Sequence, residues 1–231
     1  MTQTPEIPRH VGLILDGNRR WARERDLSTL RGHARGYERL KEIGLELVDR
    51  GVEYVSAYVF SYENWRRAPK EVRYLMDLAF TKAVSDSGEL IDKGIRLLFL
   101  GTHEGLSKKL IKQLQECEEK SKHCTRGTFA ICFNYGGLVE IADACKKLIE
   151  KGAKSQDITP EAIRENLYHP DVPDMDIMVR TSGEQRISNF MLWRVGYSEL
   201  FFIDKHWPDM TKEDASVIID EYSRRQRRFG A

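Results

Sequence analysis

Six short apolar runs punctuate the chain: 11-VGLIL-15, 54-YVSAYVF-60, 95-IRLLFL-100, 128-TFAICF-133, 176-DIMV-179 and 199-ELFFI-203. Each is four to seven residues long and lacks strict alternation, the pattern of strands covered on both faces. Between them the apolar spacing becomes helical. Residues 33–50 carry Tyr37, Leu40, Gly44, Leu47 and Val48 on one stripe and end at Gly51, a candidate C′ glycine. Residues 70–93 repeat the pattern with Val72, Leu75, Met76, Ala79, Phe80 and Ala83, and stop before Gly94. Further helices are predicted over 104–121, over 138–151 ahead of Gly152, from the Thr159-Pro160 cap, and from Thr211 to Arg228, where the basic run Arg-Arg-Gln-Arg-Arg closes the segment.

Strands interleaved with helices imply a single α/β domain over residues 1–231, with a mainly parallel six-stranded sheet flanked by helices. Residues 1–9 are expected to be a flexible N-terminus and 222–231 a basic tail. In such sheets ligands bind beyond the carboxyl ends of the strands. Three polar segments stand there: 16-DGNRRWA-22, 61-SYENWRR-67 and 180-RTSGEQRIS-188.

Composition narrows the picture. The 231 residues hold 37 Lys plus Arg against 36 Asp plus Glu, a formal charge of +1, which speaks against a nucleic-acid partner. Any phosphate chemistry must therefore come from locally clustered arginines. The cysteines Cys117, Cys124, Cys132 and Cys145 include no C-x-x-C pair, so a reduced, cytoplasmic chain is expected rather than a zinc or disulfide framework. MTQTPEIPRH has no apolar signal core, and no run of about 18 apolar residues exists. Surface contact with a membrane stays open.

Asp16-Gly17-Asn18-Arg19-Arg20 places a carboxylate at a strand end, then a turn glycine, then two guanidinium forks at a helix start. Helix starts and arginines bind phosphate oxygens, and a carboxylate beside them becomes compatible with a diphosphate when Mg²⁺ bridges the two. The same residues also read as a helix cap followed by surface arginines. Arg180 and Arg186 flank Ser182-Gly183 on a turn suited to a second phosphate group, or to an ordinary solvated loop. In 61-SYENWRR-67, Asn64 beside arginines can orient a phosphate, a water or a proton, while Trp65 can equally be a core anchor. His33 lies near the first loop, although a lone histidine is more often structural. There is no G-x-S-x-G elbow, no P-loop and no G-x-G-x-x-G.

The blocks 10-HVGLILDGNRRWA-22, 32-GHARG-36, 58-YVFSYENWRR-67, 134-NYGG-137, 180-RTSGEQRISNFMLW-193, 197-YSELFF-202 and 207-WPD-209 together resemble the cis-prenyltransferase family of undecaprenyl and dehydrodolichyl diphosphate synthases. The resemblance implies Mg²⁺-dependent condensation of isopentenyl diphosphate with an allylic prenyl diphosphate. On it, Asp16 matches the catalytic metal-binding aspartate. Gly17, Asn18, Arg19 and Arg20, with Trp21 and His33, match the allylic diphosphate cradle. Ser61, Glu63, Asn64, Trp65 and Arg67 match the second signature, in which the asparagine is implicated in proton removal, and Tyr62 among them is expected to contact substrate. Arg180, Arg186, Ile187 and Ser188 match the isopentenyl diphosphate site, and Glu199 the second acidic metal ligand. Arg228 and Gly230 resemble a tail that reaches the neighbouring site of a homodimer.

An apolar tunnel between the sheet and the 33–50 and 70–93 helices is implied for the product. Val59 would narrow it near the diphosphates and Gly127 would leave room deeper in, giving a short-to-medium polyprenyl product. Thr29, Tyr62 and Ser182 depart from the pattern common in bacterial members. Alternatives are a different acceptor or coupling geometry, a non-catalytic subunit of a heteromeric enzyme, and a phosphate-ester hydrolase.

Overall fold

The computed structural model describes residues 6–225, without the side chains of residues 82–84. Its six strands are β1 (His10–Ile14), β2 (Tyr54–Ser61), β3 (Ile95–Leu100), β4 (Gly127–Tyr135), β5 (Ile177–Arg180) and β6 (Glu199–Phe202). They form one sheet in the order β3-β4-β2-β1-β5-β6, and every neighbouring pair is parallel. The crossover from β1 to β2 winds to one side and the connection from β5 to β6 to the other, so the strand order reverses between β1 and β5. That reversal opens a crevice at their carboxyl ends, where Ile14 pairs with Arg180.

The eight helices of the described residues are α1 (Asn18–Arg23), α2 (Thr29–Asp49), α3 (Pro69–Ser85), α4 (Ser87–Asp92), α5 (Lys108–Ser121), α6 (Gly137–Glu150), α7 (Pro160–Asn166) and α8 (Lys212–Arg224). Every residue of β1 is buried, as a doubly covered strand requires. Val11 and Leu13 join one core with Leu40, Ile43 and Leu47 of α2 and Ile218 of α8. Ile14 faces the opposite core, built around Cys132, Tyr135, Met178 and Phe190. A third cluster packs Phe60 and Phe133 against Val72 and Leu75 of α3 and Leu110 and Leu114 of α5.

Helix α2 ends as its sequence predicts. Gly51 takes φ +102, Val52 N–H donates to the Leu47 carbonyl, and Gly51 N–H to that of Val48, which satisfies carbonyls left over at the helix end. Thr159 caps α7 through the Ala162 N–H, with Pro160 in the first turn.

Four expectations are revised. The helix predicted over 70–93 is two helices broken at Asp86, within a Ser85-Asp86-Ser87 run of residues with low helix propensity. The Asp86 carboxylate lies 3.7 Å from Nζ of Lys41 on α2, which holds the break against that helix. The last helix ends at Arg224, and Arg228 and Gly230 lie outside the described residues. Of the stretch expected to be flexible, residues 6–9 are anchored: Glu6 N–H donates to Ser223 Oγ at 3.1 Å, and the Arg9 carbonyl accepts from Glu53 and Tyr54. Finally, Gly127 opens no space, because a methyl group there would meet both Val48 γ-carbons at 2.7 Å.

Candidate active site

The carboxyl ends of β1, β2 and β5 converge on a cavity of about 780 Å³ that runs between the sheet and helices α2, α3 and α4. Its mouth is polar. Asp16, Asn18, Ser61, Asn64, Arg180 and Ser188 line it, with His33, Glu63, Arg67 and Arg186 around them. Its depth is apolar, walled by Leu40, Val59, Leu75, Phe99, Ile131 and Phe133, and it reaches Phe129 and Leu97.

Asp16 stands at the centre of the mouth. Its Oδ2 accepts from Arg180 Nη2 at 2.7 Å, and its Oδ1 accepts from Gly17 N–H at 2.7 Å and faces Arg20 Nη2 at 3.2 Å. Burial pushes the carboxyl up, but Arg180, the Gly17 N–H and Arg20 outweigh it and hold Asp16 below the usual carboxylate range, so it is ionised at neutral pH. The Asp16 carbonyl accepts from Thr181 Oγ1 at 2.7 Å and from Trp207 N–H at 3.0 Å. Gly17 takes φ +101, which lets the chain turn into α1.

Arg180 is 4% exposed, and its guanidinium gathers the site. Beyond Asp16 it donates to Ser188 Oγ at 2.7 Å and to the Arg186 carbonyl at 2.6 Å, so one buried fork fixes both loops. Glu184 joins the loops on the outside, accepting from Arg20 at 2.8 Å and pairing with Arg186. Hydrogen bonding from Arg186 and then Arg20 lowers the Glu184 carboxyl. On the far wall Asn64 Oδ1 accepts from Ser61 N–H at 3.2 Å in a reciprocal cap, and Asn189 fixes Glu63 at 2.8 Å.

Glu71 was not singled out from the sequence. It is buried on the first turn of α3 and accepts from Arg67 at 3.0 Å and His33 at 3.2 Å, with Arg19 at 3.9 Å. Burial lowers the His33 pKa and leaves the ring neutral near pH 7. The only signal in sequence was the Arg67–Glu71 spacing of one helical turn.

Eight of the expected residues are not in the cavity lining: Gly17, Arg19 and Arg20 sit in the turn after β1 and the start of α1, and five others lie elsewhere. Trp21 donates to Asp209 at 2.6 Å and carries Arg25 over its ring. Tyr62 reaches Glu104, and Trp65 donates to Asn134 at 2.7 Å while packing on Phe60, the core-anchor alternative. Ile187 packs against the second core. Glu199 pairs with Ile177 at the start of β5, whereas Asp16 follows Ile14, the partner of Arg180 at its end. Within one chain the two carboxylates thus lie at opposite ends of the sheet: Glu199 is three strand residues, roughly 10 Å, short of the Arg180 level, and Asp16 lies beyond it. Glu199 binds Arg225 at 3.1 Å instead.

Among the described residues, no three His, Cys, Asp or Glu side chains are grouped to hold a metal by themselves. One ionised carboxylate among arginines fits Mg²⁺ that arrives with a diphosphate, since this ion keeps waters and phosphate oxygens and takes few protein ligands.

The family model for undecaprenyl diphosphate synthase matches residues 14–230. An isoprenyl transferase of Thermotoga maritima is 47% identical over 97% of this chain and 97% of its own length. A trans,polycis-polyprenyl diphosphate synthase of Thermobifida fusca, specific for (2Z,6E)-farnesyl diphosphate, is 43% identical over 97% of this chain and 81% of its own. Among solved structures, lavandulyl diphosphate synthase from Lavandula x intermedia in complex with dimethylallyl diphosphate superposes with a TM-score of 0.91 at 29% identity, covering 97% of this chain and 99% of that one.

Proposed function

The chain belongs to the undecaprenyl diphosphate synthase family of cis-prenyltransferases, and we propose that it joins isopentenyl diphosphate to an allylic prenyl diphosphate to make a short-to-medium polyprenyl diphosphate. The observation that carries the substrate reading is the Asp16–Arg180 pair at the mouth of an apolar cavity. Arginines suit the diphosphates, and the cavity suits a hydrocarbon chain.

In the reaction the allylic C–O bond breaks, the isopentenyl double bond forms a C–C bond to the allylic carbon, and a proton leaves to give a cis double bond and inorganic diphosphate. Mg²⁺, held by Asp16 on the allylic diphosphate, would neutralise charge on the leaving group. Arg20, which faces Asp16, and Arg19, which faces Glu71 from the same helix start, are assigned to that diphosphate, and Arg186 and Ser188 to the isopentenyl one. Holding both reactants at one mouth removes much of the entropic barrier. Asn64, fixed by its cap with Ser61, is assigned to guiding proton removal. A hydrolase reading accounts for the arginines but gives the apolar cavity no task.

Arg186 is 58% exposed on its side chain. Arg186→Ala is expected to raise the isopentenyl diphosphate KM about tenfold while moving the allylic KM much less, because one charged donor is lost from one pocket. Steady-state kinetics with each substrate varied in turn would check this, and equal shifts in both constants would mean the pockets are not separate.

The cavity also bears on product length. From His33 to Lys41 it follows roughly 12 Å of α2, at 1.5 Å per residue. Val59 lines the middle, and Phe129 closes the floor with its ring against Gly44, where a methyl would meet it at 2.6 Å. Product analysis by mass spectrometry with primers of ten, fifteen and twenty carbons should give short chains. Phe129→Ala should lengthen them by at least one unit, and an unchanged distribution would place the limit elsewhere. Product formed from the allylic diphosphate alone would favour a different acceptor.

A homodimer is proposed across the β6 edge. Tyr197 is 77% exposed and Leu200 38% exposed there, and a second copy is what could carry Glu199 toward the neighbouring Asp16. Among the described residues no helix is long and apolar enough to cross a membrane. Peripheral membrane contact is proposed for release of the apolar product.

A further inference from the structure

The turn after β5 and the segment after β6 meet around Gly17 in an arrangement the condensation chemistry does not itself use. Ser182 is buried and takes φ +77, a left-handed conformation that strains a non-glycine residue. Its hydroxyl lies 2.6 Å from Nδ1 of His206, and Nε2 of that ring lies 2.9 Å from a Glu24 carboxylate oxygen. A carboxylate only accepts, so in the neutral ring Nε2 donates to Glu24 and Nδ1 accepts from the Ser182 hydroxyl. Glu24 directly follows α1, the helix that carries Arg19 and Arg20.

Both inner members press on Gly17. A methyl group built there would meet His206 Nδ1 at 2.7 Å and Ser182 Oγ at 2.8 Å. The backbone follows the same seam, with Ser182 N–H donating to the Lys205 carbonyl at 2.9 Å. Serine, histidine and glutamate in line also describe a hydrolytic relay. Here the serine is buried against Gly17 with no open approach for a substrate carbonyl, so a nucleophilic role does not fit.

We propose that Glu24, His206 and Ser182 form a hydrogen-bonded clasp that seats Gly17 and α1 against the 181–183 turn, making His206 a positioning residue for the allylic diphosphate. The proposal rests on the assignment of Asp16–Arg20 to that substrate. The clasp shapes a loop without touching the reacting atoms, so its loss weakens allylic binding more than it slows the chemical step. It also predicts that stability and affinity separate. Ser182→Gly relieves the left-handed strain but removes the hydroxyl.

The test is calorimetric titration of the full chain with farnesyl diphosphate and Mg²⁺, alongside steady-state kinetics and thermal melts. His206→Ala is expected to raise the farnesyl diphosphate Kd and KM about tenfold, the scale of one hydrogen bond to a charged group, with the isopentenyl KM changed by less than about threefold. Glu24→Gln, which keeps an acceptor of the same length, should recover most of the affinity that Glu24→Ala loses. Ser182→Gly should melt no lower than the parent and still bind farnesyl diphosphate more weakly. Unchanged affinity in Ser182→Gly and His206→Ala would overturn the clasp. Equal loss in Glu24→Gln and Glu24→Ala would also count against it. Failure of the parent protein to bind farnesyl diphosphate would instead remove the substrate assignment, and the clasp's role with it.

Discussion

Asp16→Ala is expected to lower Mg²⁺-dependent turnover on the order of a thousandfold while the chain keeps its fold, because the one carboxylate between Arg20 and Arg180 is lost. The size of the effect follows from what the carboxylate does twice. Its oxygens would hold the metal on the leaving diphosphate, and they also fix the guanidinium that orients Ser188 and the Arg186 carbonyl. Removing it leaves Arg180 buried with one fewer acceptor. The fold should survive, since the Asp16 backbone stays pinned by Thr181 and Trp207. Initial rates over a range of Mg²⁺, together with circular dichroism, would check this. Turnover near that of the parent would remove Asp16 from the metal assignment.

The second large effect concerns stability. Arg194 and Glu140 are 1% and 0% exposed on their side chains and meet at 2.9 Å. Arg194 also donates to the carbonyls of Tyr168 at 2.8 Å, His169 at 3.3 Å and Val172 at 3.2 Å, while Glu140 accepts from Tyr135 Oη and, at 3.1 Å, from Tyr168 N–H. Arg194→Met would strand a buried carboxylate and three carbonyls, at a cost of about 3–5 kcal/mol. For a domain of this size that corresponds to a fall in Tm on the order of 10 °C. Glu140→Leu combined with Arg194→Met should cost less than the sum of the single changes, since no charge is then left unpaired. Urea unfolding of the three variants tests the cycle, and a loss below about 1 kcal/mol in Arg194→Met would contradict it.

Strand positions were legible because doubly covered strands read as short apolar runs, and all six runs lie on the six strands or overlap them. The rule that sites sit beyond strand ends led directly to Asp16 and Arg180, each delivered by its strand into the crevice. Partners distant in the chain were not legible. Nothing local indicates that Glu71 receives His33 from 38 residues away, or that Arg194 is buried rather than on the surface. The helix over 70–93 kept its apolar period across Asp86, so periodicity missed the break at the Ser85-Asp86-Ser87 run. Gly127 shows the limit of composition: a missing side chain implies a void only if no neighbour fills it, and Val48 does. Glu199 was matched by motif alone, and strand register places it away from Asp16 in its own chain, so its assignment to the metal depends on a second copy.

Incubation of the purified chain with isopentenyl diphosphate, Mg²⁺ and a radiolabelled allylic diphosphate primer tests the central assignment most directly. Stepwise growth of the label by five-carbon units, with release of inorganic diphosphate and products of only a few units, is the predicted result. Release of phosphate or diphosphate from the primer with no longer labelled chain would contradict it.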